Sequence, residues 1–234
     1  VAKHGNRAVS SKSGAADFFE SLGFHLALQP EQAAKVLQKT NFVFLFAQVY
    51  HNAMRFAAPV RKSLGIKTIM NLIGPLTNPA EAQYLLLGAY SKELLKPMAE
   101  AAKMLGAKHV LAVCSADGFG ESSRDVPAGA YEIDEANHAL EYTIDPQKMG
   151  IPTTSDNELR GGTGEENAKI ALELASGKGN PTIRNAVALN AGATLYVARR
   201  AANLREGFQM ALNAIDSGAV AQKIDEVRLA TLAS

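Results

Sequence analysis

The residues best suited to chemistry stand at the start of the sequence. The stretch VAKHGNRAVSSKSG sets Lys3, His4, Asn6 and Arg7 close together, with Ser10, Ser11 and Ser13 directly after them. Two permanent cations, an imidazole, an amide and three hydroxyls make a dense donor set for an anion. Gly5 and Gly14 let the backbone adopt geometry that other residues resist. The serines read as a loop entering a helix capped by Ser13, where backbone N–H groups and hydroxyls suit a phosphate. The same residues also suit a plain cap and turn, and the cations crowded in front of them tip the reading toward an anion.

Three further places gather polar groups beside glycine or proline. In FAQVYHNAMRFAAPVR, a strand runs into a helix with His51 at its start and Arg61 roughly three turns along. An arginine on such a helix is also an ordinary solvated charge. In GPLTNP, two prolines and a glycine enforce an ordered turn, best read as structural. In SADGFGESS, Asp117 and Glu121 offer oxygen ligands of the kind Mg²⁺ prefers, or form a simple acidic turn. The sequence carries no zinc-ligand spacing, Walker loop, GxGxxG fingerprint or nucleophile elbow.

These groups need a scaffold, and alternating apolar runs and helix-like segments supply an α/β one with a largely parallel sheet. Apolar runs at 42–47, 83–90 and 109–116 suit strands covered on both faces. Helices follow the first two, closed by Gly65 and Gly106, and Pro97 in the second predicts a kink or a late start. YEIDEANHALEYTID reads as a hairpin, and Thr163 with Glu166 as a capping box that opens a mostly helical remainder. No linker divides the 234 residues. With 47% hydrophobic and 20% charged residues and a net charge of +1, no global field points to nucleic acid or an anionic membrane. Any anion site is therefore local. The lone Cys114 excludes an internal disulfide framework, and no apolar run approaches the roughly 20 residues of a membrane span. With no signal-peptide pattern at the start, the setting expected is cytoplasmic. On residues alone, the sequence supports a phosphate-binding α/β protein whose Asp117 and Glu121 suit either Mg²⁺ or a simple acidic turn, and it names no substrate.

The ordered motifs KHGNRAVSSKSG, FLFAQVYHNAMRFAAPVRKSLGIKT, NLIGPLTNPA and GGTGEENA closely resemble those of the anthranilate phosphoribosyltransferases of tryptophan biosynthesis, from Val1 to about Val220. The resemblance implies a nucleoside phosphorylase/phosphoribosyltransferase-like fold, with a central mostly parallel sheet flanked by helices. One α/β domain would span 1–234, with 52–75 contributing helices to a small helical subdomain. The implied reaction transfers phosphoribosyl from 5-phosphoribosyl 1-pyrophosphate to anthranilate and releases pyrophosphate with Mg²⁺, in a homodimer. Lys3, His4, Gly5, Asn6, Arg7, Ser10 and Ser11 would hold the phosphoribosyl pyrophosphate. Asn6, His51 and Arg61 would hold anthranilate, with His4 and His51 along its path, and Glu121 would hold the metal. No residue is assigned as a catalytic base, because orientation and neutralisation of the leaving pyrophosphate carry such a reaction.

The sequence departs from the family's pattern in three ways. The family's N-terminal section, with its glycine-rich turn, has no counterpart here, so the chain is expected to be a C-terminal piece. An acidic pair is Gly120–Glu121, and a serine and a histidine common in the family are Ala15 and Cys114. A truncated or impaired enzyme is the resulting expectation. The alternatives are a non-catalytic paralogue binding a phosphorylated ligand or nucleic acid, and a different phosphoribosyl or nucleoside transferase. Near-neutral charge argues against nucleic acid, which needs a basic face.

Overall fold

The computed structural model describes residues 1–8, 12–53, 56, 63, 69–115, 127–151, 159 and 161–234. They form two compact units. One comprises Val1–Ala80, Gly161–Ala175 and Gly218–Ser234, and the other comprises Glu81–Arg160 and Ser176–Ser217.

In the first unit, β1 (Ala2–Gly5) pairs in parallel with β2 (Val43–Phe46), Ala2 opposite Val43 and Gly5 opposite Phe46. The alternation of side chains along β2 explains its unbroken apolar run. Phe44 and Phe46 enter a core with Ala16, Leu22, Phe24, Leu26, Ala168 and Val227. Val43 and Leu45 enter another with Leu28, Ala33, Val36 and Ala230. Helices Ala15–Ser21, Pro30–Thr40, Gly164–Ala175 and Ala219–Leu232 supply the partners on the two faces. The expected capping box is present: Thr163 N–H donates to Glu166 Oε2 at 2.7 Å, and Glu166 N–H to Thr163 Oγ1 at 3.3 Å.

Two local expectations change here. Ser13 is not the helix cap; extended Gly14 holds that position, and the Asp17 carboxylate accepts its N–H at 2.8 Å. GPLTNP is not wholly a turn, since a helix Met70–Leu76 runs through Gly74 and Pro75. The Thr77 hydroxyl reaches the carbonyls of Ile73 and Gly74 at 3.2 and 3.3 Å, satisfying acceptors that a helix end exposes. The expected closure at Gly65 lies outside the described residues.

In the second unit, a four-stranded sheet runs β3 (Tyr84–Gly88), β4 (His109–Ser115), β5 (Ala128–Ile133), β6 (Ala139–Ile144). The α/β class holds, but the strand directions are mixed. β1–β2 and β3–β4 are parallel, while β4–β5 and β5–β6 are antiparallel. The expected hairpin accounts for the last pair, because the short turn from Asp134 to His138 can join only antiparallel neighbours. Asn137 takes a left-handed φ of 62° there, and Asp134 accepts the N–H of His138 at 2.9 Å. Pro97 produces the late start: a 3₁₀ turn Lys92–Leu94 precedes the helix Leu95–Met104, whose first turn has no use for the missing N–H. Gly106 follows that helix at φ 100°, where a side chain would be strained. No helix among the described residues is long and apolar enough to cross a membrane.

Helices Pro181–Val197 and Leu204–Asp216 touch backbone to backbone. A Cβ on Gly192 would lie 2.4 Å from the Phe208 nitrogen, and one on Gly207 2.3 Å from the Gly192 carbonyl oxygen. Neither neighbour is a side-chain end that can swing away. Gly192→Ala is therefore expected to destabilise the protein by about 3 kcal/mol, as overpacking against fixed atoms does. Urea unfolding checks this: the midpoint should fall at constant slope, and an unchanged midpoint would show that the helices part freely.

Candidate functional site

The first unit gathers most of the residues singled out in the sequence. β1 carries Lys3, His4 and Gly5, and neighbouring strand residues point to opposite faces. Lys3 is exposed and His4 is half-buried. Gly5 sits in a close fit: a Cβ there would lie 3.1 Å from both the Phe44 ring and the Ala15 methyl, so either would have to shift by a few tenths of an ångström.

His4 and His51 meet edge to face, with ring centroids 5.0 Å apart. His51 follows the short helix Ala47–Tyr50 that continues directly from β2, so the parallel β1–β2 pair brings the two rings together. His4 Nδ1 lies 3.2 Å from the Gly74 carbonyl and His51 Nε2 3.1 Å from that of Thr77. A carbonyl can only accept, so Nδ1 of His4 and Nε2 of His51 carry the protons. Asn78 donates to the Ala2 carbonyl at 2.9 Å and pins the same segment to β1. The proline-rich stretch thus orients both imidazoles, a role hidden in a sequence separation of 70 residues. His4 Nε2 is buried and has no hydrogen-bond partner among the described residues. Burial pushes the His4 pKa down, opposed by the Gly74 bond and assisted by His51 and Lys3. The ring therefore favours its neutral form, with the Nε2 lone pair buried and unpaired among the described residues.

Asn6 turns the chain out of β1. Its Oδ1 accepts the N–H of Arg7 at 2.8 Å and the Gln48 amide at 3.4 Å, and its carbonyl accepts the N–H of Ala16 at 3.2 Å. Arg7 lies along the surface against two carboxylates. Its NH1 reaches Asp17 Oδ1 at 3.1 Å and Glu20 Oε2 at 2.6 Å, its NH2 reaches Glu20 Oε1 at 2.8 Å, and the guanidinium lies 5.5 Å from the centre of the Phe46 ring. Asp17 Oδ2 also accepts the N–H of Ala8 at 2.9 Å. Asp17 and Glu20 were not singled out in the sequence; an acid three or six residues past a glycine-serine loop is too common to signal a clasp.

GGTGEENA also belongs to this unit. Asn167 accepts the N–H of Gly162 at 2.9 Å and donates to its carbonyl at 3.2 Å, which closes the turn. A Cβ on Gly164 would lie 2.6 Å from the Asp17 carbonyl oxygen, so this helix starts against the backbone of Ala15–Ser21. Ser10, Ser11, Arg61 and Glu121 lie outside the described residues, as do Asp117 and Gly120. Cys114 is buried within β4, in the second unit. Among the described residues no three of His, Cys, Asp and Glu come together as a metal site.

Comparison with known proteins gives this arrangement a family. Residues 1–221 match the model of the glycosyl transferase family, a/b domain. Anthranilate phosphoribosyltransferase of Methanobrevibacter smithii is 44% identical over 226 residues, covering 97% of this chain and 67% of its own length. The crystal structure of anthranilate phosphoribosyltransferase from Thermus thermophilus superposes with a TM-score of 0.88 at 39% identity, over 99% of this chain and 68% of that one. The Saccharomyces cerevisiae enzyme in complex with PRPP and Mg superposes with a TM-score of 0.89 at 26% identity, over 100% of this chain and 65% of that one. The chain thus spans about two thirds of the length of these relatives. With the a/b-domain model matched across nearly its whole length and a relative at 44% identity, the chain belongs to the anthranilate phosphoribosyltransferase family.

Proposed function

We propose that this protein transfers the phosphoribosyl group of 5-phosphoribosyl 1-pyrophosphate to the amino nitrogen of anthranilate, as a cytoplasmic pentosyltransferase of tryptophan biosynthesis. The amine attacks the anomeric carbon, the bond from that carbon to the pyrophosphate oxygen breaks, and the amine releases a proton. The observation that most supports the reading within the structure is the His4–His51 pair, whose buried Nε2 acceptor stands beside the anion-binding stretch. A lone pair held neutral there suits hydrogen bonding to an aromatic amine.

In this reading Lys3, Gly5, Asn6, Ser10 and Ser11 receive the phosphoribosyl pyrophosphate, and Asn6, His51 and Arg61 receive anthranilate. Arg7, held on Asp17 and Glu20, belongs to the same stretch. Glu121 would help to hold Mg²⁺, which neutralises charge on the departing pyrophosphate. A single carboxylate beside Gly120 fits an ion that is commonly held by one or two carboxylates together with substrate phosphates. Developing positive charge at the anomeric carbon needs orientation and an electronegative surround more than a base. A homodimer and a helical subdomain around 52–75 belong to the same reading, supported by the exposure of Phe56 and Ile69 within that stretch.

The test is formation of phosphoribosyl anthranilate by the purified chain, followed through the loss of anthranilate fluorescence. The expected result is Mg²⁺-dependent product, abolished by a chelator and restored by added metal. With one carboxylate at the metal, turnover is expected below roughly 1 per second, the lower end for ordinary enzymes. Absence of product at saturating substrates with Mg²⁺ would overturn the proposal.

A further inference from the structure

We propose that Arg7 and Asp17 are positioning residues for the phosphorylated substrate: Asp17 draws together the two stems of the segment carrying Ser10 and Ser11, and Arg7 fixes Asp17 in that pose, an inference resting on the transferase reading above. The geometry comes from one carboxylate. Asp17 Oδ2 accepts the N–H of Ala8 at 2.9 Å and that of Gly14 at 2.8 Å, so the residues on either side of the segment hang from the same atom. Its other oxygen is taken by Arg7 at 3.1 Å. The stems are pressed together: a Cβ on Gly14 would lie 2.5 Å from the Ala8 nitrogen and the Arg7 carbonyl carbon, and 2.6 Å from the Asn6 oxygen. Only glycine leaves room for that approach.

The charge balance argues against Arg7 as the main anion ligand. Three of its five N–H donors are engaged by Asp17 and Glu20, the Glu20 pair in a forked arrangement at 2.6 and 2.8 Å, which holds the guanidinium on the carboxylates. One cation between two carboxylates leaves a local charge of about −1, which repels a pyrophosphate instead of attracting it. Hydrogen bonds from the Ala8 and Gly14 amides, with Arg7, keep Asp17 ionised well below the usual carboxylate range, and Arg7 does the same for Glu20. The clasp therefore stays closed at neutral pH. It is braced from below by Gly164, which admits the Asp17 carbonyl where any side chain would push it away. Ser21 Oγ donates to that same carbonyl at 2.8 Å. The anion-binding stretch and GGTGEENA, far apart in sequence, thus meet at Asp17.

The experiment uses the full chain and two readouts. Amide exchange by NMR reports the protection of Ala8 and Gly14, and calorimetry reports the affinities for 5-phosphoribosyl 1-pyrophosphate with Mg²⁺ and, separately, for anthranilate. In Asp17→Ala, both amides should lose protection tenfold or more and the pyrophosphate ligand should bind at least tenfold more weakly, while anthranilate shifts less than threefold. Asp17→Asn keeps an oxygen able to accept both amides but loses the pairing with Arg7, so it should fall between, and it carries the test should Asp17→Ala fail to fold. Lost protection with unchanged affinity, lost affinity with intact protection, or equal losses for both ligands would each overturn the positioning role. Amides unprotected in the unaltered chain would refute the clasp itself. Protected amides in a chain that binds no phosphoribosyl pyrophosphate would refute the transferase reading, and the positioning role with it.

Discussion

Glu132→Ala is expected to destabilise the second unit by about 3–5 kcal/mol, the cost of removing one partner from a buried charged network. The residue is 7% exposed on β5, and three donors converge on its carboxylate. His109 Nε2 lies 2.6 Å from Oε1, the Tyr196 hydroxyl 2.9 Å from the same oxygen, and the Tyr142 hydroxyl 2.8 Å from Oε2. The network joins β4, β5, β6 and the helix Pro181–Val197. Burial alone would raise the Glu132 carboxyl, but the bonds from His109, Tyr142 and Tyr196 together hold it below the ordinary glutamate range. Burial and the carboxylate push Tyr196 up to about 12 and Tyr142 higher still, so both remain donors at neutral pH. Because the folded value is the lower one, the stabilisation is complete above the ordinary value of 4.5 and is lost as the pH falls through the folded value. Glu132→Gln, with no proton to take up, should flatten that acid limb. The chain has no tryptophan, so urea unfolding can be followed by the fluorescence of its six tyrosines, two of which touch Glu132. A loss below about 1 kcal/mol, the worth of one ordinary hydrogen bond, with an unaltered acid limb would show that the carboxylate is not the keystone.

Local signals in the sequence foretold local structure. The run around β2 is continuously apolar because alternate residues enter two different cores, and Thr163 with Glu166 forms a cap because both partners lie within one turn. Pro97 delayed its helix for a reason internal to proline. The direction of the strands was less legible, since apolar runs at 83–90 and 109–116 look alike whichever neighbour they pair with. Only β5–β6 declared its direction, through a turn too short for any other. The Glu132 network was invisible for a related reason: its donors stand 23, 10 and 64 residues away, and no spacing rule joins them.

For the candidate site, residue types were legible and their commitments were not. Lys3, His4, Asn6 and Arg7 all read as donors, yet only the fold reveals that Arg7 is tied to two carboxylates while His4 Nε2 is buried with no hydrogen-bond partner among the described residues. Serine is a common cap, which makes Ser13 the natural reading, but the helix starts one residue later, where the Asp17 carboxylate reaches back through Oδ2 to the N–H of Gly14. The likeness to a family supplied what neither periodicity nor spacing could, namely that four separated motifs belong to one family's pattern.

Arg61→Ala is expected to raise the KM for anthranilate about 100-fold while that for 5-phosphoribosyl 1-pyrophosphate stays within about threefold. A forked, charge-assisted contact with a carboxylate is among the stronger single hydrogen-bonding interactions, and losing about 3 kcal/mol corresponds to that factor. Anthranilate presents one carboxylate and one weakly basic amine, so in the proposed site its orientation depends on holding the carboxylate, with the packed pair His4 and His51 lining its path. If Arg61 only bound the substrate, kcat would be unchanged; in the proposed reaction the held carboxylate also aims the amine at the anomeric carbon, so kcat should fall as well. Arg61→Lys separates charge from geometry. An ammonium retains the attraction but cannot fork onto two oxygens, so it should restore part of the affinity and less of kcat. The same steady-state kinetics on His4→Gln then test the Nε2 acceptor, because glutamine offers a carbonyl in place of a lone pair fixed by the bond to Gly74. Equal losses for both substrates in Arg61→Ala, or none for anthranilate, would remove Arg61 from the anthranilate site and leave its carboxylate to another cation.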